Sequence, residues 1–278
     1  MIINGAEHAW VTGDPRFPID PEKASCRGRP THDESGEYLI AQMKVHGVDR
    51  VVISHVCYYG RDNAYTSHCV KTWPERFAGI GLLVGHRLHP PGDPANPDRL
   101  EQACREQGLA GLRLSPYYDP ERAWFSDPGM YPLWQRAEAL GCVFNVFLRP
   151  EQIGQVAEMA ARFPGVRVVV DHFAMIDLAR PEAEGIEPLL ALHRLPNVYL
   201  RTSLHNPSRE RVPYRDMWPY LERAYDAFGP RRLVWANFHE LLIMQELIPF
   251  FTAADREWIL GKTAAELYFR EPGPRSAP

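Results

Sequence analysis

The segment Ile2-Ile3-Asn4-Gly5-Ala6-Glu7-His8-Ala9-Trp10 begins as an apolar strand and reaches a histidine, then a tryptophan, within a few residues. Such a strand would deliver His8 to a surface at its carboxyl end. A lone histidine at this point is equally typical of a surface or capping residue. The segment therefore takes its meaning from the strand-like runs that follow it along the chain.

Short apolar runs alternate with amphipathic stretches along the whole sequence. After the first strand, further strands are predicted over 50–56, 78–84, 109–115, 142–148, 166–172, 198–203 and 232–238, and the last two helices over 241–250 and 253–268. Short, continuously apolar strands between helices are typical of a parallel sheet that is buried on both faces. An open doubly wound sheet is the alternative, but residues 4–8 lack the glycine-rich phosphate turn expected there. The pattern predicts one domain, 1–278, folded as a (β/α)8 TIM barrel.

Composition narrows the classes of partner. The net charge of −4 provides no basic surface for nucleic acid, and no apolar run has the length of a membrane span. The five cysteines are scattered and form no CxxC motif, which favours reduced thiols and a cytoplasmic location. We expect a small anionic organic substrate, no nucleic-acid or membrane partner, and leave a homo-oligomer open.

Polar side chains collect at the predicted carboxyl ends of the strands, where a TIM barrel carries its active site. Histidine exchanges protons near neutral pH, and the arginine fork matches a carboxylate. The catalytic candidates are His8, His172, Asn237, His239 and Glu240, and the substrate-binding candidates are Arg113, Arg201, Tyr59, Asn63, Tyr117, Arg149 and Trp10. Structural alternatives remain open, because Asp171 and His172 also suit a buried pair, Arg113 and Arg201 also suit ion pairs with loops, and His205 suits a loop residue.

The chain resembles the amidohydrolase superfamily, in particular its amidohydrolase-2 branch of lactonase-like and dicarboxylate hydrolases. The resemblance rests on the order and spacing of 3–8 with Trp10, 59–63, 111–114, 170–172, 200–203, 235–238 and 259–264. It implies a metal site built from two histidines on the first strand, one each on the fifth and sixth, and an aspartate on the eighth. Here Ala6, Phe147 and Asn237 stand at three of those positions, while His8 and His172 are retained.

These departures predict a metal-independent enzyme, because alanine and phenylalanine offer no donor atom and asparagine is a poor substitute for a carboxylate. We expect hydrolysis of a lactone or related C–O bond in a small carboxylated metabolite, with no cofactor. One divalent metal at His8 and His172 is the alternative. The alternatives in function are a lyase or cyclase catalysing decarboxylation, dehydration or ring closure, and a catalytically retired barrel that binds a ligand.

Overall fold

The structure, a computed structural model, describes residues 1–19, 30–85, 89–120, 123–180 and 185–269. Within those residues the strands are β1 Ile3–Glu7, β2 Arg50–Ser54, β3 Phe77–Gly81, β4 Gly111–Leu114, β5 Val143–Val146, β6 Arg167–Val170, β7 Val198–Arg201 and β8 Leu233–Val234. They pair in parallel in the order of the sequence. The Gly5 N–H donates to the Trp235 carbonyl oxygen at 3.1 Å, which joins β1 to the end of β8. The predicted (β/α)8 barrel is confirmed.

Helices follow the strands and cover the outside of the barrel. Those in the described ranges are α1 Gly36–His46, α2 Ala64–Thr72, α3 Asn96–Arg105, α4 Tyr131–Leu140, α5 Ile153–Arg162, α6 Ile186–Ala191, α7 Trp218–Phe228, α8 Ala253–Glu257 and α9 Thr263–Tyr268. Helix α1 begins at Gly36 because the Ser35 hydroxyl accepts the Tyr38 N–H, and it ends at Gly47, whose φ of 66° is left-handed. The stretch predicted as a helix over 241–250 contains a π-helical turn, Ile243–Leu247.

The amino-terminal end of the barrel is plugged by the last helix. Ala264, Leu267 and Tyr268 of α9 pack into a buried cluster with inward-facing residues of the strands, such as Ile3 and Val234. The guanidinium of Arg167, the first residue of β6, donates to the Leu267 carbonyl oxygen at 3.2 Å. Helix α9 therefore covers the end of the barrel opposite the carboxyl end, where the candidate residues were predicted.

Each predicted strand loses its last residues to the loop that follows. The hydrogen-bonded ladder ends at Val170 on β6, at Arg201 on β7 and at Val234 on β8. Residues 171–172, 202–203 and 235–238, which the apolar pattern had joined to these strands, form the turns at the rim. The shortening releases polar side chains from strand alternation at the carboxyl end of the barrel.

The expectation that all five cysteines are reduced thiols is wrong. Cys57 is disulfide-bonded, whereas Cys69, Cys104 and Cys142 are free. Cys26 lies outside the described residues. Within the described part of the chain, none of the helices combines the length and apolar character that a membrane crossing requires.

Candidate active site

A cavity of about 310 Å³ opens at the carboxyl ends of the strands. It is lined by Ala6, Glu7, His8, Trp10, Glu34, Ser54, Arg113, Tyr118, Phe147, Asp171, His172, Arg201, His205, Asn206 and Asn237. Six of the twelve predicted site residues therefore line the same cavity: His8, His172, Asn237, Arg113, Arg201 and Trp10. A volume of this size suits a single-ring metabolite.

Strand β1 reaches the cavity through an irregular end. Its register against β2 shifts between Asn4 and Glu7, as at a β-bulge, and the consecutive residues Ala6, Glu7 and His8 all line the cavity. A regular strand would turn alternate residues away. The Glu7 Oε1 atom accepts the Asn4 side-chain amide at 2.9 Å and the Phe238 N–H at 3.1 Å. Burial raises the pKa of Glu7 to about 7, and the charge of Glu34 acts in the same direction.

The raised pKa of Glu7 makes the free energy of unfolding depend on pH. Folding raises this pKa from 4.5 to about 7, so the favourable contribution of protonated Glu7 to the free energy of unfolding is fully present below pH 4.5. It is lost as the pH rises through about 7. The variant Glu7→Gln keeps an oxygen for both hydrogen bonds and cannot ionise. We expect the wild type to lose up to about 3 kcal/mol relative to this variant between about pH 5 and pH 8.

Urea unfolding of both proteins at the two pH values measures this difference. Glu37→Gln, at an exposed glutamate in the first turn of α1, is the control and should follow the wild type. Parallel pH profiles for the wild type and Glu7→Gln would contradict the environment assigned to Glu7.

The ring of His8 is held in one tautomer by the backbone. Its Nδ1 lies 2.6 Å from the Ser54 carbonyl oxygen, which accepts only, so Nδ1 carries the proton and donates. In the neutral ring Nε2 is then the proton-accepting nitrogen. His8 combines this orientation with a place on the cavity wall, which is what a general base requires.

The turn after β6 places His172 in an unusual backbone. His172, Phe173, Ala174 and Met175 all have φ between 50° and 54°, in the left-handed region that costs roughly 1–2 kcal/mol per residue. Burial, with the charge of Arg201 nearby, holds the pKa of His172 well below its usual value. The ring is therefore neutral at pH 7, and its edge packs against Phe147 at a centroid distance of 5.7 Å.

The amide of Asn206 links His172 to a second histidine. Its Nδ2 donates to His172 Nδ1 at 3.1 Å and to His205 Nε2 at 2.8 Å. Since Nδ1 of His172 accepts, the neutral ring carries its proton on Nε2. The Nδ1–H of His205 donates to Glu240 Oε1 at 2.6 Å, which agrees with an accepting Nε2 on that ring. A chain of hydrogen bonds from Glu240 through His205 and Asn206 thus sets the tautomer of His172.

Glu240 anchors this chain from a fully buried position. Its carboxylate also accepts the backbone N–H groups of Leu204, at 3.0 Å, and His205, at 2.9 Å. Glu240 therefore lies beneath the cavity wall rather than in the cavity. His239 is exposed, and its ring packs 4.7 Å from that of His205. Neither residue is among those that line the cavity.

Arg201 is neutralised by a neighbouring carboxylate. Its Nη1 donates to Asp171 Oδ1 at 2.6 Å, and both residues are buried. Its Nη2 donates to the Tyr268 hydroxyl at 3.1 Å, and that hydroxyl donates to Asn145 Oδ1 at 2.8 Å. Helix α9 is thus connected to the cavity floor through the barrel axis. Arg201 was predicted either to bind substrate or to form an ion pair. It forms an ion pair, and both Arg201 and Asp171 also line the cavity.

Arg113 extends from β4 into the cavity wall and is 9% exposed. Its guanidinium carbon lies 5.9 Å from the centroid of the Phe147 ring, which follows β5. At 9% exposure the cation is only partly hydrated, and its charge favours the ionised form of the buried Asp171 carboxylate.

Four predicted binding residues do not line the cavity, and two of them brace loops. The Tyr59 hydroxyl donates to the Val11 carbonyl oxygen at 3.1 Å and accepts the Val11 N–H at 2.8 Å. Asn63 Oδ1 accepts the Leu82 N–H at 2.8 Å. These side chains satisfy buried backbone groups, which accounts for polar residues at the end of β2 without any contact to a ligand.

The other two form a stack beside the cavity. Tyr117 stacks on Phe147 at 4.3 Å, and the guanidinium of Arg149 lies 4.4 Å above the Tyr117 ring. The Arg149 Nε also donates to the Tyr117 carbonyl oxygen at 3.1 Å. The pair supports Phe147 from outside, and the neighbouring Tyr118 reaches the cavity in its place.

The sequence prediction missed several residues that line the cavity. Seven of them were not named as site residues: Ala6, Glu7, Glu34, Ser54, Tyr118, Phe147 and Asn206. Two more, Asp171 and His205, had been considered as structural residues. Asn206 follows His205 after β7, so a search of rim loops for amides would have found it. Glu34 has no such signal, because its segment reaches the cavity only through pairing with Trp10.

The residues at the expected metal positions do not fit a metal. Ala6 offers no donor, and the ring of Phe147 occupies its position packed between Tyr117 and His172. The Asn237 amide donates to the Ser203 hydroxyl at 3.2 Å. Elsewhere in the described ranges, His205, His239 and Glu240 bring ligand atoms within 4.8 Å of one another. These three side chains could hold one divalent metal.

A parallel eight-stranded barrel with proton-transfer groups and arginine around a cavity at its carboxyl end defines a TIM-barrel enzyme. The chain belongs to the amidohydrolase family, whose model matches residues 8–270, and it is an amidohydrolase-related hydrolase. It is 26% identical over 239 residues to the L-fucono-1,5-lactonase of Burkholderia ambifaria, which covers 84% of this chain and 79% of that protein.

Two solved structures share the fold. An amidohydrolase from Burkholderia multivorans with bound zinc has a TM-score of 0.80 and 20% identity, over 98% of this chain and 100% of that one. A probable 2-pyrone-4,6-dicarboxylic acid hydrolase from Acinetobacter baumannii, with citric acid bound, has a TM-score of 0.73 and 17% identity, over 97% of this chain and 99% of that one.

Proposed function

We propose that this protein hydrolyses the lactone ring of a small carboxylated metabolite without a metal ion. The observation that carries the proposal is the pairing of opposite tautomers in one cavity. His8 presents an accepting nitrogen, and His172 a neutral N–H donor. The L-fucono-1,5-lactonase relative supports a lactone as the substrate.

The reaction needs three movements of atoms. The oxygen of water bonds to the lactone carbonyl carbon, a water proton leaves to a base, and the ring C–O bond breaks as its oxygen gains a proton. His8 Nε2 takes the water proton and returns it to the ring oxygen as the C–O bond breaks, and Asn237 positions the water by hydrogen bonding. The Nε2–H of His172 donates to the carbonyl oxygen as negative charge develops on it.

Arg113 binds the carboxylate of the substrate in this proposal. Arg201 completes the cavity wall through its pair with Asp171, since its charge is already compensated. Asn206, His205 and Glu240 act as positioning residues that keep His172 in its donating tautomer. His239, which is exposed outside the cavity, receives no role.

Metal independence is supported by what replaces the expected ligands. A methyl group at Ala6 and an aromatic ring at Phe147 supply no donor. Each function that a metal supplies in ester hydrolysis, polarising the carbonyl and activating water, has a protein group in the proposal. The hydrolysis of a carboxylated lactone by chelator-treated protein is the test, and its design closes the Discussion.

The variant Arg113→Met should weaken substrate binding by roughly 2–5 kcal/mol, because it removes a partly desolvated charge that faces the carboxylate. Methionine retains much of the stem beside Phe147, so the fold should be little affected. The KM and the inhibition constant of the hydroxy-acid product measure the effect. The methyl ester of the same substrate should lose much less.

A matched control is Arg162→Met, because the Arg162 guanidinium also lies over an aromatic ring, 4.6 Å from Tyr131, but outside the cavity lining. It should bind acid and ester as the wild type does. Equal losses for acid and ester in Arg113→Met would show that Arg113 shapes the wall without reading the charge.

A further inference from the structure

Glu34 is held beside the cavity by a backbone bridge to Trp10 and by a contact with the His32 side chain. The Trp10 N–H donates to the Glu34 carbonyl oxygen at 2.8 Å, and the Glu34 N–H donates back to Trp10 at 3.0 Å. The Trp10 indole N–H donates to the His32 carbonyl oxygen at 2.6 Å. The carboxylate, with Oε1 3.3 Å from His32 Nε2, lines the cavity and is 32% exposed. Its position is therefore built into the fold.

Glu34 and Arg113 lie on opposite sides of the opening. The strands follow one another around the barrel in the order β1 to β8, which places β1 across from β5. Glu34 is bridged to Trp10, just beyond β1, whereas Arg113 is on β4, 5.9 Å from the ring of Phe147, which lies just beyond β5. The cavity thus has a cationic side at Arg113 and an anionic side at Glu34. The charge of Glu34 helps to raise the pKa of the neighbouring Glu7, which favours the neutral form of Glu7.

A ligand that spans such a cavity is selected at both sides. A carboxylate next to Arg113 is attracted, but a second carboxylate on the far side would meet Glu34 and be repelled. A carboxylate side chain accepts hydrogen bonds and cannot donate them when ionised, so its natural partners on a ligand are hydroxyl groups. The volume of about 310 Å³ admits one ring with its substituents.

We infer that Glu34 selects the substrate class: a single-ring lactone that carries one carboxylate, held at Arg113, and ring hydroxyl groups that donate to Glu34. Lactones with a second carboxylate in place of those hydroxyls are excluded. The inference rests on the proposed hydrolysis for its chemistry, but the recognition it describes is also measurable as binding.

Three probes separate the contributions of the two sides. Glucaro-1,4-lactone carries one carboxylate and hydroxyls, glucono-1,5-lactone carries hydroxyls alone, and 2-pyrone-4,6-dicarboxylate carries two carboxylates and no hydroxyl. We expect the wild type to favour glucaro-1,4-lactone over each of the others by at least about tenfold in kcat/KM. Spontaneous ring opening is subtracted with a reaction that lacks protein.

The variant Glu34→Gln tests the residue itself. It should lower kcat/KM for glucaro-1,4-lactone by about 10- to 100-fold and raise that for the dicarboxylate, because repulsion is removed. The backbone bridge to Trp10 does not depend on the side chain, so folding is retained. Glu37→Gln, at the exposed glutamate of α1, should leave all three values unchanged.

A wild type that prefers the dicarboxylate, or a Glu34→Gln variant that scales all three probes equally, would overturn the inference. Calorimetric binding of the same probes separates it from the proposed hydrolysis. Glu34-dependent binding of glucaro-1,4-lactone without turnover of any probe would reject the hydrolysis and support the recognition. Turnover that does not depend on Glu34 would support the hydrolysis and reject the recognition by Glu34.

Discussion

The variant His8→Asn is expected to lower kcat on a carboxylated lactone by about 10²–10⁴-fold, the usual contribution of a general base. Asparagine places its amide N–H where His8 Nδ1 lies, so it can still donate to the Ser54 carbonyl oxygen, a bond of 2.6 Å in the wild type. It has no counterpart of Nε2. The loss should therefore appear in kcat, with a change in the free energy of unfolding below about 1 kcal/mol.

His193→Asn is the matched control for this experiment. His193 is exposed on the outside of the barrel, and its Nδ1 also lies against a backbone carbonyl, that of Leu190, at 2.9 Å. The control should keep full activity. A fully active His8→Asn variant would move the proton-accepting role to another group, and an unfolded one would show that the ring is structural.

The variant Arg201→Met is expected to destabilise the fold by about 3–5 kcal/mol, the largest stability effect among these substitutions. Arg201 and Asp171 are both buried, and their contact is 2.6 Å. Removing the arginine takes the hydrogen-bonded cation from a carboxylate in a low-dielectric interior and also removes a donor to the Tyr268 hydroxyl. Urea unfolding at neutral pH measures the loss.

Two further proteins show where that loss comes from. The double variant Arg201→Met, Asp171→Asn should recover part of the stability, since no uncompensated charge remains. Arg105→Met removes a pair with Glu101 of the same 2.6 Å length in which Arg105 is 59% exposed, and it should cost less than about 1 kcal/mol. A loss in Arg201→Met as small as that of the surface pair would contradict the buried ion pair.

The fold was predictable because its signal is repeated. Each buried parallel strand is a short apolar run, and eight of them between helices leave few architectures. The ends of the strands were less predictable, because valine and leucine continue beyond the point where hydrogen bonding stops. At β8 the ladder covers only Leu233–Val234, and residues up to Phe238 belong to the rim.

The residues that line the candidate site were predictable where a side chain depends on its position at a strand end, as for His8, His172 and Arg113. The role of a side chain was not predictable where it depends on a partner that is distant in the sequence. Nothing in the sequence tells that Arg201 is neutralised by Asp171, or that Tyr59 bonds the backbone of Val11. Glu7 required knowledge of a register shift, which turns a residue of β1 into the cavity.

The central claim is metal-free hydrolysis, and the most direct measurement is the incorporation of heavy oxygen. Chelator-treated protein, with its metal content checked by elemental analysis, is incubated with glucaro-1,4-lactone in H₂¹⁸O, and the product is analysed by mass spectrometry. The account predicts undiminished turnover and one ¹⁸O atom in the new carboxylate, above the background of a His8→Asn reaction. Product without ¹⁸O, as a lyase or cyclase would form, or turnover that disappears on chelation and returns with zinc, would contradict it.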